Sequence, residues 1–101
     1  MEYNVLRTPE FSDWFESLRD SKTRTRIQAR IDRLVVGNFG DIKFVGARVW
    51  EMRIDFGSGY RVYFVRRPER VVILLAGGDK RTQKKDIAKA IELAGRYGSD
   101  E

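Results

Sequence analysis

Arg53, Arg61, Lys43 and Lys80 are the residues of this chain whose types and spacing suggest shared chemistry. The two arginines sit at alternating positions of neighbouring β-type segments, Glu51-Met52-Arg53-Ile54 and Gly59-Tyr60-Arg61-Val62-Tyr63-Phe64. Lys43 precedes the first segment, and Lys80-Arg81 follow a later apolar run. Guanidinium and ammonium groups fixed on a sheet clamp phosphate oxygens, and Tyr63 beside them offers a ring on which a base can stack. That is the chemistry of a phosphate or RNA site. The residues alone leave one alternative open, a scatter of solvated cations with Tyr63 packed on their aliphatic stems.

Other chemistries are excluded by composition. The chain has no cysteine and no histidine, which removes disulfides, thiolate and imidazole metal sites, cysteine nucleophiles and any Ser-His pairing. Only carboxylates remain as metal ligands, so neither a metal nor a cofactor is expected. The net charge of +5 is unevenly placed: residues 1–20 hold 2 basic and 5 acidic side chains, leaving 18 basic and 10 acidic for residues 21–101. A surplus of +8 after residue 20 reads either as ordinary solubility or as an electrostatic footprint for a polyanion. MEYNVLRTPEF carries neither a basic nor an apolar leader region, and no apolar run approaches the roughly 20 residues of a membrane helix. A soluble, cytoplasmic protein with no membrane contact is expected.

The elements that must position these cations follow from periodicity. At 101 residues one core is what the chain can build, so residues 1–97 are expected as a single domain with 98–101 as a frayed tail. Tyr3–Arg7 suits a short strand, and Thr8-Pro9 marks a helix start with a hydroxyl cap and proline in the first turn. Phe11, Trp14, Phe15 and Leu18 gather on one helical face. Asp20 or Ser21 caps a second helix whose stripe is Ile27, Ile31, Leu34 and Val35, ended by Gly37-Asn38. Its Arg24, Arg26, Arg30 and Arg33 form a basic face, open to solvent, to phosphate or to an acidic partner.

From Val49 the period becomes two. Trp50, Met52 and Ile54 must share a face with Val62 and Phe64 across the Gly57-Ser58-Gly59 turn, which sets even residues opposite even ones. Glu51, Arg53, Arg61 and Tyr63 then share the other face. The unbroken Val71–Ala76 run suits a strand covered on both sides, and a last helix with Ile87, Ile91 and Ala94 inward follows Gly77-Gly78-Asp79. The expected order is β-α-α-β-β-β-α, an α+β fold with an antiparallel sheet packed on helices that lie on one face.

The segments Gly37-Asn38-Phe39-Gly40-Asp41-Ile42-Lys43, Glu51-Met52-Arg53-Ile54, Gly59-Tyr60-Arg61-Val62-Tyr63-Phe64 and Gly77-Gly78-Asp79-Lys80-Arg81-Thr82-Gln83-Lys84-Lys85-Asp86-Ile87 together resemble the addiction-module killer proteins. These are a branch of the RelE/ParE toxin superfamily close to the HigB-type toxins, and the resemblance spans about Tyr3 to Ala94. It implies a RelE-like fold and the toxin of a type II toxin-antitoxin module, a metal-independent mRNA endoribonuclease working in the ribosomal A site to inhibit translation. It also implies a helix-turn-helix antitoxin partner, with operator DNA bound only through the joint complex. By this likeness Arg53, Arg61 and Lys80 are the expected catalytic residues and Lys43 and Arg81 expected RNA contacts; Tyr63, as a stacking ring, and Gln83 complete the expected RNA-binding set.

The chain departs from its relatives at the C-terminus. Several of them place a tyrosine or histidine there for proton transfer or stacking, whereas here the segment reads Gln83-Lys84-Lys85-Asp86 and the only late tyrosine is Tyr97. Thr82, Gln83 or Asp86 are the available substitutes, although a surface ion pair to Lys85 or Lys89 suits Asp86 better. The ParE side of the superfamily supplies the rival expectation, a non-enzymatic inhibitor of DNA gyrase, because fold alone does not give function. A binding module active only with its partner is a third.

Overall fold

The computed structural model describes residues 2–97; the predicted tail at 98–101 lies outside the described residues. The order is β1 (Asn4–Arg7), α1 (Pro9–Ser17), α2 (Ser21–Val35), β2 (Ile42–Gly46), β3 (Val49–Ile54), β4 (Tyr60–Arg67), β5 (Val71–Asp79), a turn of 3-10 helix (Lys80–Thr82) and α3 (Gln83–Tyr97). The α+β class follows as expected. One strand more is present than the periodicity predicted: β2 is a short edge strand with Phe44 half exposed, and it shows too little alternation to stand out.

The helix starts form where the cap chemistry requires. Thr8 accepts from the Phe11 N–H at 3.0 Å and donates to the Leu75 carbonyl at 2.7 Å, so one buried hydroxyl caps α1 and ties it to β5. Asp20 caps α2 by accepting from the Lys22 N–H.

The five strands lie in the order β1-β5-β4-β3-β2. All neighbours are antiparallel except β1, which adds to β5 in parallel. The predicted register of the central hairpin is present: Trp50 opposes Phe64, Met52 opposes Val62, and on the other face Glu51 opposes Tyr63 and Arg53 opposes Arg61.

The helices do not share one face of the sheet, contrary to the sequence expectation. Phe11, Phe15, Ile27, Ile31 and Leu34 of α1 and α2 cover Met52, Ile54, Val62, Phe64, Val72 and Leu74, while Ala90, Leu93 and Ala94 of α3 cover Tyr63, Val65, Ile73 and Leu75 on the reverse. This is why Val71–Ala76 is apolar without a break. A register shift in the β4–β5 pairing puts Leu75 and Ala76 into the same core. Ile91, expected inward, is 37% exposed; Ala90 and Leu93 take the packed face, with Ile87 at its margin.

Gly77 and Gly78 let both layers come close. A Cβ on Gly77 would lie 2.2 Å from the Trp14 ring of α1, and one on Gly78 would lie 1.8 Å from Asp86 Oδ2 of α3. Side chains at these two positions would lift α1 off one face and the start of α3 off the other.

Candidate active site

Alternation along β3 and β4 puts Glu51, Arg53, Arg61 and Tyr63 on the α3 face, and the register makes Arg53 and Arg61 direct cross-strand neighbours. Like charges so placed repel, and a carboxylate beneath them offsets the repulsion. Glu51 is fully buried. Its Oε1 lies 3.3 Å from Arg53 Nε, and its Oε2 lies 3.8 Å from Arg61 Nε. Oε2 also accepts from the Tyr63 hydroxyl at 3.1 Å and from the Gln83 amide at 2.7 Å. A buried carboxylate is costly unless paired and hydrogen-bonded, and here four side chains on three elements converge on it. The Arg61 contact is electrostatic only, since its buried Nε makes no hydrogen bond.

Above Glu51 the two guanidiniums open into a cleft of 410 Å³ lined by Asp41, Arg53, Asp55, Gly59, Arg61 and Lys80. The Arg53 side chain is 36% exposed and that of Arg61 13%. Gly59 has φ +83° and the Lys80 chain lies across it, with room for a Cβ only at 3.0 Å from Lys80 Cε. Arg61 opposes Gly78 on β5. Arg53 is braced from behind: Arg30 of α2 donates to the Arg53 carbonyl at 2.6 Å and to that of Phe39 at 3.2 Å. Burial, then repulsion from Arg33, lowers the pKa of Arg30, against an opposing pull from Asp41.

The structure brings Arg53, Arg61 and Lys80 together, as their spacing predicted. The other four expected site residues do not line the cleft. Tyr63 requires a correction, because its ring is fully buried against the α3 core and offers no face to a base. Burial, and then the neighbouring Glu51 carboxylate, push its phenol well above the usual value, so it serves as a permanent donor. Gln83 directs its amide inward to Glu51. Arg81 folds back on Asp79 at 2.8 Å, and this hydrogen-bonded guanidinium holds the Asp79 carboxyl below its ordinary range. Lys43 belongs to β2 rather than to a loop, opposite Glu51 and exposed at the sheet edge.

Among the C-terminal substitutes, Asp86 accepts from the Thr82 hydroxyl at 2.5 Å in place of the expected ion pair. Tyr97 packs on the α3 core about 20 Å along the helix from Gln83. The basic face of α2 is largely spent within the fold: Arg24 donates to the Leu18 carbonyl, Arg26 stacks 4.5 Å over Phe56, and Arg30 braces β3.

Glu51, Asp41 and Asp55 were missed as site residues. For Glu51 the signal was present, since an acid sharing a predicted face with two arginines and a tyrosine is a ready ion-pair partner. Asp55 continues the alternation of Glu51 and Arg53 one residue past β3, so its face was legible too, whereas Asp41 lies just before β2 and only the fold brings it to the cleft. Among the described residues no cluster of acids suits a metal, and no helix is long and apolar enough to cross a membrane.

The family described as phage-derived protein Gp49-like matches residues 13–97. An "uncharacterized protein" of Haemophilus influenzae is 47% identical over 98 residues, covering 97% of this chain and 99% of its own. Among solved structures, a mutant of the Escherichia coli toxin RelE in the free state superposes with a TM-score of 0.73 at 17% identity, over 91% of this chain and 97% of that one. RelE in the RelE-RelB complex of Pyrococcus horikoshii gives 0.61 at 17% identity, over 79% and 97%. The shared RelE fold is the one the sequence motifs implied.

Proposed function

Because the chain belongs to the Gp49-like family and has the RelE fold, we propose that it is the toxin of a type II toxin-antitoxin module, a ribosome-dependent endoribonuclease that cuts mRNA. The observation that carries this reading is the cleft itself, where Arg53 and Arg61 converge over buried Glu51 with Lys80 at the rim. RNA supplies its own nucleophile. The 2′-hydroxyl attacks the adjacent phosphorus as the P–O5′ bond breaks, leaving a 2′,3′-cyclic phosphate and a free 5′-hydroxyl, with one proton leaving O2′ and one reaching O5′.

The protein's part is to hold that hydroxyl in line and to stabilise the charge that builds on the phosphoryl oxygens. Arg53 and Arg61, preset by Glu51, meet the second need without reorganising. Exposed, hydrated Lys80 suits phosphate positioning better than proton transfer, which would require its desolvation. Of the groups lining the cleft, the carboxylates of Asp41 and Asp55 are those able to accept the O2′ proton.

The partner follows from the same reading. RelE of P. horikoshii is solved with RelB, and a helix-turn-helix antitoxin with an acidic surface is the corresponding inhibitor here, in the cytoplasm, with operator DNA bound only by the joint complex. The ribosome supplies mRNA in register.

Inducing the protein and mapping mRNA ends by primer extension tests the proposal. New ends are expected with wild type, and Arg61→Ala should reduce them by about 10²–10³-fold, the usual cost of losing one transition-state donor. Unchanged ends on wild-type induction, or inhibited gyrase supercoiling at an unchanged mRNA profile, would overturn it.

A further inference from the structure

The cleft is nearly neutral. Its three cations, Arg53, Arg61 and Lys80, face three carboxylates, Asp41 and Asp55 in the wall and Glu51 beneath. A charge-balanced cleft gains little from displacing counter-ions, so it can orient a phosphate without supplying much affinity for a polyanion. The basic surplus of the chain must act elsewhere.

A share of it, four arginines against one glutamate, lies at the opposite end of the sheet. The β2–β3 turn, Ala47-Arg48, and the β4–β5 turn, Pro68-Glu69-Arg70, both lie there, about 17 Å along β4 from Arg61 to Arg66. Arg48, Arg66, Arg67 and Arg70 crowd this rim, with Glu69 the carboxylate among them.

Two of these guanidiniums are held on an aromatic pair. Tyr3 and Phe39 meet edge to face at 5.2 Å; Arg66 lies 4.4 Å over Phe39 and donates to the Tyr3 hydroxyl at 3.4 Å, while Arg70 lies 5.4 Å over Tyr3. Both arginines are exposed. Stacking fixes the plane of a guanidinium and leaves its in-plane N–H groups for phosphate oxygens.

The backbone supports the same assignment. Ala47 and Arg48 have φ of 50° and 68°, Glu69 and Arg70 of 64° and 61°. Such turns favour Asn-Gly, and any other residue held left-handed costs stability. In both turns the second left-handed residue is an arginine. Asparagine or glycine would close the same turns at lower cost, so the arginines are not there for the turns.

We propose that this rim, separate from the cleft, is a docking surface for the phosphate backbone of RNA. It deepens the nuclease reading by dividing docking from chemistry, and it rests on that reading for the identity of the polyanion.

The test is binding of the full chain to a labelled RNA duplex of about 20 base pairs between roughly 50 and 200 mM salt. Arg66→Gln/Arg70→Asn should weaken binding about tenfold and lower the slope of log K against log salt by about two. The single variant Arg70→Asn should melt no lower than wild type. Arg53→Gln/Lys80→Gln in the cleft should weaken binding less than the rim pair does. Rim variants that bind as wild type with an unchanged slope overturn the inference, as does loss confined to a polyglutamate probe, which would make the rim a site for an acidic protein. Failure of the nuclease reading shows differently, as intact duplex binding without new mRNA ends.

Discussion

Gln83, the first residue of α3, donates its side-chain amide to Glu51 of β3 at 2.7 Å across 32 positions of sequence. This bond registers the last helix against the two arginines, because the same carboxylate holds Arg53 and Arg61. Glu51→Ala leaves the Arg61 guanidinium and the Tyr63 hydroxyl unpaired in a largely buried setting, with Arg53 unpaired at the mouth of the cleft, and is expected to cost about 3–5 kcal/mol. Glu51→Gln retains an acceptor and should cost about 1–3 kcal/mol. Urea unfolding measures both, and equal midpoints for Glu51→Ala and wild type would refute the keystone role.

Tyr63→Phe separates the two readings of this tyrosine. With the ring buried and only its hydroxyl engaged, the variant should lose about 1–2 kcal/mol and keep its mRNA cleavage pattern. Loss of cleavage at full stability would instead mean that the ring reaches substrate.

Gly77→Ala and Gly78→Ala test the double approach to β5. Overpacking of this kind costs about 1–3 kcal/mol, and Gly77 should be the worse site because its Cβ meets the rigid Trp14 ring, whereas that on Gly78 meets the end of a carboxylate side chain. Thermal melts of the two variants rank them directly.

Asp79 gives the acid limb a small, assignable component. Its carboxyl is held below the ordinary range chiefly by Arg81, so in the folded state it resists protonation. The resulting stability is present above the ordinary carboxylate pKa of about 3.9 and fades as pH falls below it. The pair is exposed on the arginine side, so screening keeps the effect small and salt-sensitive. Arg81→Gln should lower stability slightly at neutral pH and converge with wild type as Asp79 becomes protonated below about pH 4; a shift of equal size at all pH values would contradict this account.

The sequence by itself determined the helix starts, through Thr8-Pro9 and Asp20, and the pairing of β3 with β4. Local capping and a two-residue period carry that information over short spans. Because the register followed from burial of Met52, Ile54, Val62 and Phe64, the meeting of Arg53 with Arg61 was legible before any coordinates.

Tertiary structure decided what depended on contacts distant in sequence. The parallel addition of β1 to β5, the helices on opposite faces and the recruitment of Gln83 to Glu51 join residues that no local pattern relates. It also reversed the reading of Tyr63. Alternation names the face on which a side chain stands, but whether that face meets solvent or a helix depends on where α3 packs, and α3 covers Tyr63 while leaving Arg53 at the mouth of the cleft.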